Sequence, residues 1–233
     1  MNGNTIINIS SITLKLWLLL IGASPTLLAQ DNPWSIGLQA GPTFAFATRI
    51  SANPFVERFR VEPTRGYTGG VVMQYLTENN FGFQTEINYV QKGWEELPRD
   101  SITGERDPER FYRVNLDYVE VPVLAHGYLG RRNLRIFLNV GFSLSYLLSY
   151  RTDRAEVANG DITVIYQEIH QNKFDFGIRG GGGFKVVTKV GMFQLEGSFT
   201  RGLNSVMDKN INSIANIVQN NTVAVTLGYF VQF

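Results

Sequence analysis

The sequence predicts an all-β protein: an eight-stranded antiparallel up-and-down transmembrane β-barrel preceded by a cleaved signal peptide. Three observations predict it. First, residues Leu134 to Tyr150 alternate: Leu134, Ile136, Leu138, Val140, Phe142, Leu144, Tyr146, Leu148 and Tyr150 share one parity. Arg135, Asn139, Gly141, Ser143, Ser145 and Ser149 fall on the other, with Phe137 and Leu147 as apolar intruders. Successive strand side chains point to opposite faces, so this segment has an apolar face and a polar face. It is longer than the roughly 5 to 6 residues usual in soluble sheets and exceeds the roughly 9 to 11 that cross a bilayer as a tilted strand. Second, long polar connections alternate with very short turns along the chain. Short periplasmic turns and long extracellular loops are the habit of outer-membrane barrels. Third, the chain closes on NTVAVTLGYFVQF, with Val223, Val225, Leu227, Tyr229, Val231 and Phe233 on one face.

Residues 1–30 read as an export signal: Lys15, the apolar run Leu16 to Gly22, then Leu27-Leu28-Ala29 as a small-residue cleavage site. The run is too short for a spanning helix, which needs about 20 apolar residues. Residues 31–233 form the barrel domain.

The strands follow in order. Ser35 to Phe46 is the first, and a Pro-containing connection from Thr48 to Gly66 follows it. The second, Tyr67 to Leu76, ends at the turn Thr77-Glu78-Asn79-Asn80. The third, Phe81 to Trp94, sets Phe81, Phe83, Ile87 and Tyr89 against Gln84, Glu86, Asn88 and Lys92. A charged connection, Glu95 to Glu109, leads to a fourth strand reaching Leu129, and Gly130-Arg131-Arg132-Asn133 turns into Leu134 to Tyr150. After Arg151 to Asn172 come a sixth strand, Phe174 to Val187, the turn Thr188-Lys189-Val190-Gly191, and a seventh, Met192 to Arg201. Leu203 to Asn221 precedes the last strand, ending at Phe233.

Composition is compatible with this and removes several functions. A chain of 233 residues, 44% hydrophobic, looks soluble on average, because lipid-facing and lumen-facing residues cancel in a barrel. The absence of cysteine removes disulfides, zinc-cysteine sites and thiol catalysis. A net charge of +1 leaves no basic footprint for nucleic acid. His126 and His170 lack spaced partners, so no metal site is expected, and no cofactor. Gly177 and Gly180 to Gly183 do not make a phosphate loop, since Phe184 follows the last glycine and no helix pattern is present. Glycine there thins a strand so that a bulky neighbour such as Phe137 can pack against it, or so that the wall can bend.

On the polar parity lie Glu86, Lys92, Glu120, Arg135, Asp175, Arg179, Lys185 and Glu196, all expected in the lumen. An eight-stranded barrel is only wide enough to be filled by side chains, so these charges are expected to pair into a lumen charge network. Two readings compete: a salt-bridged polar core, or a narrow conduit or acid-base site built on Glu86 and Glu120. Pro122 marks a candidate bulge at which the fourth strand would swap faces. Trp94, Tyr112, Tyr150, Tyr67 and Phe199 are expected as one aromatic girdle, and Tyr75, Phe81, Tyr128, Tyr229 and Phe233 as the other.

Over essentially the whole mature length the chain resembles the PorT-like, porin-family outer membrane protein β-barrel domain proteins of Gram-negative bacteria. The resemblance is carried by Gly37-Leu38-Gln39-Ala40-Gly41, Tyr89-Val90-Gln91-Lys92-Gly93, Leu116-Asp117-Tyr118-Val119-Glu120-Val121-Pro122, Phe174-Asp175-Phe176-Gly177 with its glycine run, Gly202-Leu203-Asn204 and the terminal strand. It implies a barrel in the cell outer membrane, in some members linked to protein secretion, and no reaction. The final strand resembles the signal read by the outer-membrane assembly machinery.

The function expected is therefore non-catalytic: a side-chain-filled outer-membrane barrel acting as a structural or surface-interaction protein, secretion-associated or serving a small solute. Its expected partners are outer-membrane lipid, the assembly machinery through the strand ending at Phe233, and a surface or secretion partner on the long loops. Two alternatives stand beside it. One is an outer-membrane lipid-modifying enzyme with His126 as general base. The other is a soluble periplasmic ligand-binding barrel, which requires the inverse parity: a polar exterior and an apolar lumen.

Overall fold

The computed structural model describes residues 33–50, 60–77, 80–97, 112–131, 133–154, 173–205 and 217–233. The expected export signal lies outside these residues, as do the middles of the four long connections. Eight strands form the chain: β1 (Trp34–Ile50), β2 (Arg60–Leu76), β3 (Phe81–Leu97), β4 (Tyr112–Arg131), β5 (Leu134–Arg154), β6 (Phe174–Thr188), β7 (Gly191–Gly202) and β8 (Ile217–Gln232). Each pairs antiparallel with its neighbour, and β1 pairs with β8, from Ser35↔Gln232 to Ile50↔Ile217. The sheet closes on itself, so no strand edge is left exposed.

The three short turns and the two ends of the sheet share one rim, and the four long connections leave from the other. At the short-turn rim Asn80, Gly130 and Gly191 take left-handed φ values of 60°, 136° and 143°. Gly191 needs to be glycine twice over, since a Cβ there would also meet the Tyr229 ring at 2.6 Å. At the other rim the strands run further than their alternation suggests. Much of the expected connection Thr48 to Gly66 is strand, with Arg60↔Leu97 and Val61↔Glu96 paired in register. Charged residues there break the apolar pattern without breaking the ladder, because backbone pairing does not depend on what the side chains face.

The wall is apolar outside and polar inside. Leu138, Phe142, Val225 and Leu227 are 67%, 62%, 43% and 62% exposed. Outward positions from Ile36 to Phe44, Val71 to Tyr75, Phe81 to Ile87, Val119 to Leu129, Leu134 to Tyr146, Phe174 to Val186, Phe193 to Phe199 and Val223 to Val231 carry no charge. An apolar belt this continuous marks a surface made for lipid. It is the opposite of what a soluble ligand-binding barrel requires, and that alternative is set aside.

Three expectations about facing are corrected. Pro122 does not swap the faces of β4: Glu120, Pro122, Leu124 and His126 are all buried on the lumen side, and the β3–β4 register keeps one offset past the proline. The Thr85 hydroxyl donates to the Pro122 carbonyl at 3.1 Å, so the wall is tied there. The swap occurs in β5 instead, where Tyr118↔Leu147 is followed by Asp117↔Ser149 and Leu148 is the extra residue. Tyr150 consequently pairs with the inward-facing Leu116 and leaves the apolar face on which simple alternation put it. Third, Trp94 and Tyr128 belong to neither girdle. Trp94 is wholly buried in the lumen opposite Val114, and Tyr128 pairs with the inward Phe137. Tyr67, Phe199, Phe81 and Tyr229 do face outward, and the Tyr112 side chain lies outside the described residues.

Candidate functional site: the lumen of the barrel

The lumen is built in tiers, each set by which inward parity positions share a height. Nearest the short-turn rim, amides hold the interior. Gln74 Nε2 donates to Gln84 Oε1 at 2.6 Å and to Gln194 Oε1 at 3.1 Å, which spans the barrel from β2 to β7. Lys185 Nζ donates to Gln74 Oε1 at 2.5 Å and lies 5.2 Å from the centre of the Phe230 ring. Beside them His126 Nδ1 is 2.6 Å from Asn139 Oδ1, and its ring stacks on Phe137 at 5.3 Å. The β6 neighbour of Phe137, Gly183, is held to glycine by β7, since a Cβ there would lie 1.9 Å from the Leu195 carbonyl oxygen.

Arg179 occupies the middle tier. Its Nη1 is 3.1 Å from Glu86 Oε2 and 3.4 Å from Glu120 Oε1, and its Nη2 is 3.7 Å from Glu196 Oε1. One guanidinium from β6 therefore faces carboxylates from β3, β4 and β7. The planar fork can serve several acceptors at once, which a lysine ammonium does less well. Glu86 is further held by Gln84, Gln39 and Asn88, at 2.5, 2.8 and 2.5 Å. Gln194 donates to Glu196 at 3.0 Å, so Lys185 connects to Glu196 through Gln74 and Gln194.

Above Arg179, Lys92 Nζ meets Glu120 Oε2 at 2.7 Å, Ser145 Oγ at 3.1 Å and Asp175 Oδ2 at 4.0 Å. The same ammonium lies 5.0 Å from the centre of the Tyr118 ring. Toward the long-connection rim large apolar side chains fill the interior beside buried Asn220: Trp94, Val114, Leu116, Tyr118 and Val218 are buried to within 1%. The polar tiers thus lie beneath an apolar cap.

Of the eight charges expected in the lumen, Glu86, Lys92, Glu120, Asp175, Arg179, Lys185 and Glu196 are inside and at most 4% exposed. Six of them form one ion-pair cluster, with Lys185 joined through amides. Arg135 stands apart at the short-turn rim, half-buried with its guanidinium 5.1 Å from the Tyr128 ring centre. Sequence reasoning put Gln84, Asn88 and Asn139 on the polar face without giving them a role, and it passed over Gln39, Gln74 and Gln194. It also passed over the apolar cap, whose residues interrupt the polar parity only near one rim. His126 is 1% exposed and faces inward, so it is out of reach of a lipid lying against the wall. That removes the base proposed for a lipid-modifying enzyme.

The family model described as outer membrane protein beta-barrel domain matches residues 28–208. The chain belongs to that family. Together with the apolar exterior, membership makes it an outer-membrane β-barrel protein. Solved barrels share the fold at low identity. The outer membrane protein OprG from Pseudomonas aeruginosa matches at TM-score 0.50 and 10% identity, covering 87% of this chain and 98% of that one. The outer membrane protease OmpT from Escherichia coli matches at TM-score 0.50 and 13% identity, covering 90% and 99%. No curated protein matches the chain.

Proposed function

We propose that this outer-membrane barrel is non-catalytic and does not conduct, and that it presents its long extracellular connections to a partner at the cell surface. The observation that carries this reading is the way side chains tie opposite walls together. Arg179 on β6 meets Glu86 on β3, and Gln74 on β2 meets Gln194 on β7, so the interior is spanned at two heights below an apolar cap. A rigid, filled barrel is a scaffold for loops, and loops are where binding usually resides. The segments that resemble PorT-like proteins favour a partner connected with protein secretion, and the final strand favours recognition by the outer-membrane assembly machinery. Purified protein in planar bilayers is expected to give no stable conductance steps; regular steps would sink the filled-lumen reading. Replacing residues 98–111 and 155–172 with short turns is expected to leave a folded barrel that no longer cross-links to its partner at the cell surface. An unchanged cross-linking pattern would remove those connections from the proposal.

A further inference from the structure

We propose that the outward face of β3, β4 and β5 near the extracellular rim is a binding site for the sugar headgroup of the outer-leaflet glycolipid. The inference deepens the membrane reading and rests on it. On this wall the apolar belt ends in a bonded polar relay. Ser149 Oγ donates to Asp117 Oδ2 at 2.8 Å, Gln91 Nε2 donates to Asp117 Oδ1 at 3.3 Å, and the same amide lies 3.3 Å from the Tyr89 hydroxyl. Tyr67, 58% exposed, sets its ring 5.6 Å from that of Tyr89. Two tyrosines beside an amide, a carboxylate and a hydroxyl supply flat apolar surface together with acceptors for hydroxyl groups, which is what a sugar ring offers in return.

Three features single out this wall. It is continuous with the lipid-facing belt, since Val119 and Tyr146 lie directly below Asp117 and the bulge. A lipid whose chains cover those residues must place its headgroup against the relay. Next, both register shifts of the barrel flank it, one between Pro63 and Thr68 on β2 and one at Leu148 on β5. Bulges re-aim side chains and gather beside functional sites. Last, a second tier lies just beyond: Arg113 Nη2 is 3.0 Å from Glu95 Oε2, with Arg113 41% exposed, and Arg151 is exposed on the adjacent strand. Hydroxyl-binding groups below and guanidinium groups above match an acylated amino sugar that carries phosphate.

The test uses full-length barrel refolded in a zwitterionic detergent free of glycolipid, then offered lipid A, dephosphorylated lipid A or phosphatidylethanolamine and read by native mass spectrometry. Lipid A and its dephosphorylated form are both expected to be retained, with at least tenfold less retained by the D117L/Q91L double variant. S149A, a milder change, is expected to lose several-fold, while R201A on the opposite wall binds like the wild type. Dodecyl maltoside should displace the lipid where dodecylphosphocholine does not. Equal retention of phosphatidylethanolamine, or wild-type retention by D117L/Q91L, overturns the site. Loss of all binding on dephosphorylation overturns it as well, because the contact would then be to phosphate alone. Failure of the barrel to insert into any bilayer would instead overturn the membrane reading itself.

Discussion

The two faces of β5 obey different rules. Outward, Leu134 to Tyr146 need only be apolar, because lipid chains adapt to whatever shape they meet. Inward, Asn139 meets His126, Ser145 takes a hydrogen bond from Lys92, and Phe137 stacks on the His126 ring. A face that meets a fluid is set by composition, and a face that meets other side chains is set by partners. Substitutions should therefore be graded by chemistry outside and by neighbourhood inside.

The largest expected effect is at the middle of the lumen. Arg179→Leu leaves Glu86, Glu120 and Glu196 buried without their common cation, at a cost of about 3 to 5 kcal/mol in urea unfolding from lipid vesicles. A loss below about 1 kcal/mol would mean that water reaches these carboxylates and that the interior is not filled. The comparison is sharpened by R179M/E86Q/E196Q, which leaves Glu120 with Lys92 at 2.7 Å and is expected to recover most of the loss. Next, Val140→Arg places a charge midway along the outward face of β5 and should cost roughly 2 to 4 kcal/mol in the same assay. Val140→Leu should be nearly silent, and a large cost for it would mean that the outer face packs against a protein and not lipid. The smallest effect belongs to the pair Arg113–Glu95, half-exposed at the rim. A double-mutant cycle should return about 0.2 to 1 kcal/mol, falling with added salt.

Much of this was legible in the residues. The eight strands, the three short turns and the greasy side of the wall follow from a period of two and from Gly, Asn and Pro at the breaks. The inward position of Glu86, Arg179 and Glu196 follows from the same parity. What was not legible is where the parity slips. Pro122 looked like the bulge because it lacks an N–H, yet the Thr85 hydroxyl ties its carbonyl and the register holds. Leu148 carries no such mark, and the bulge is there. Trp94 was assigned to a girdle by its chemistry, although it shares the parity of Glu86 and Lys92 and lies inside with them. Aromatic identity is a weaker guide to facing than position in the alternation.

Alternation along each strand determined by itself that the wall has one apolar and one polar face, because backbone geometry converts every second residue into one face whatever the partner strand; that the apolar face looks outward was decided by the closed sheet. Which inward residues meet was decided only by the closed sheet. Register and stagger around eight strands bring Arg179 level with Glu86, Glu120 and Glu196, residues distant in sequence that no local pattern relates.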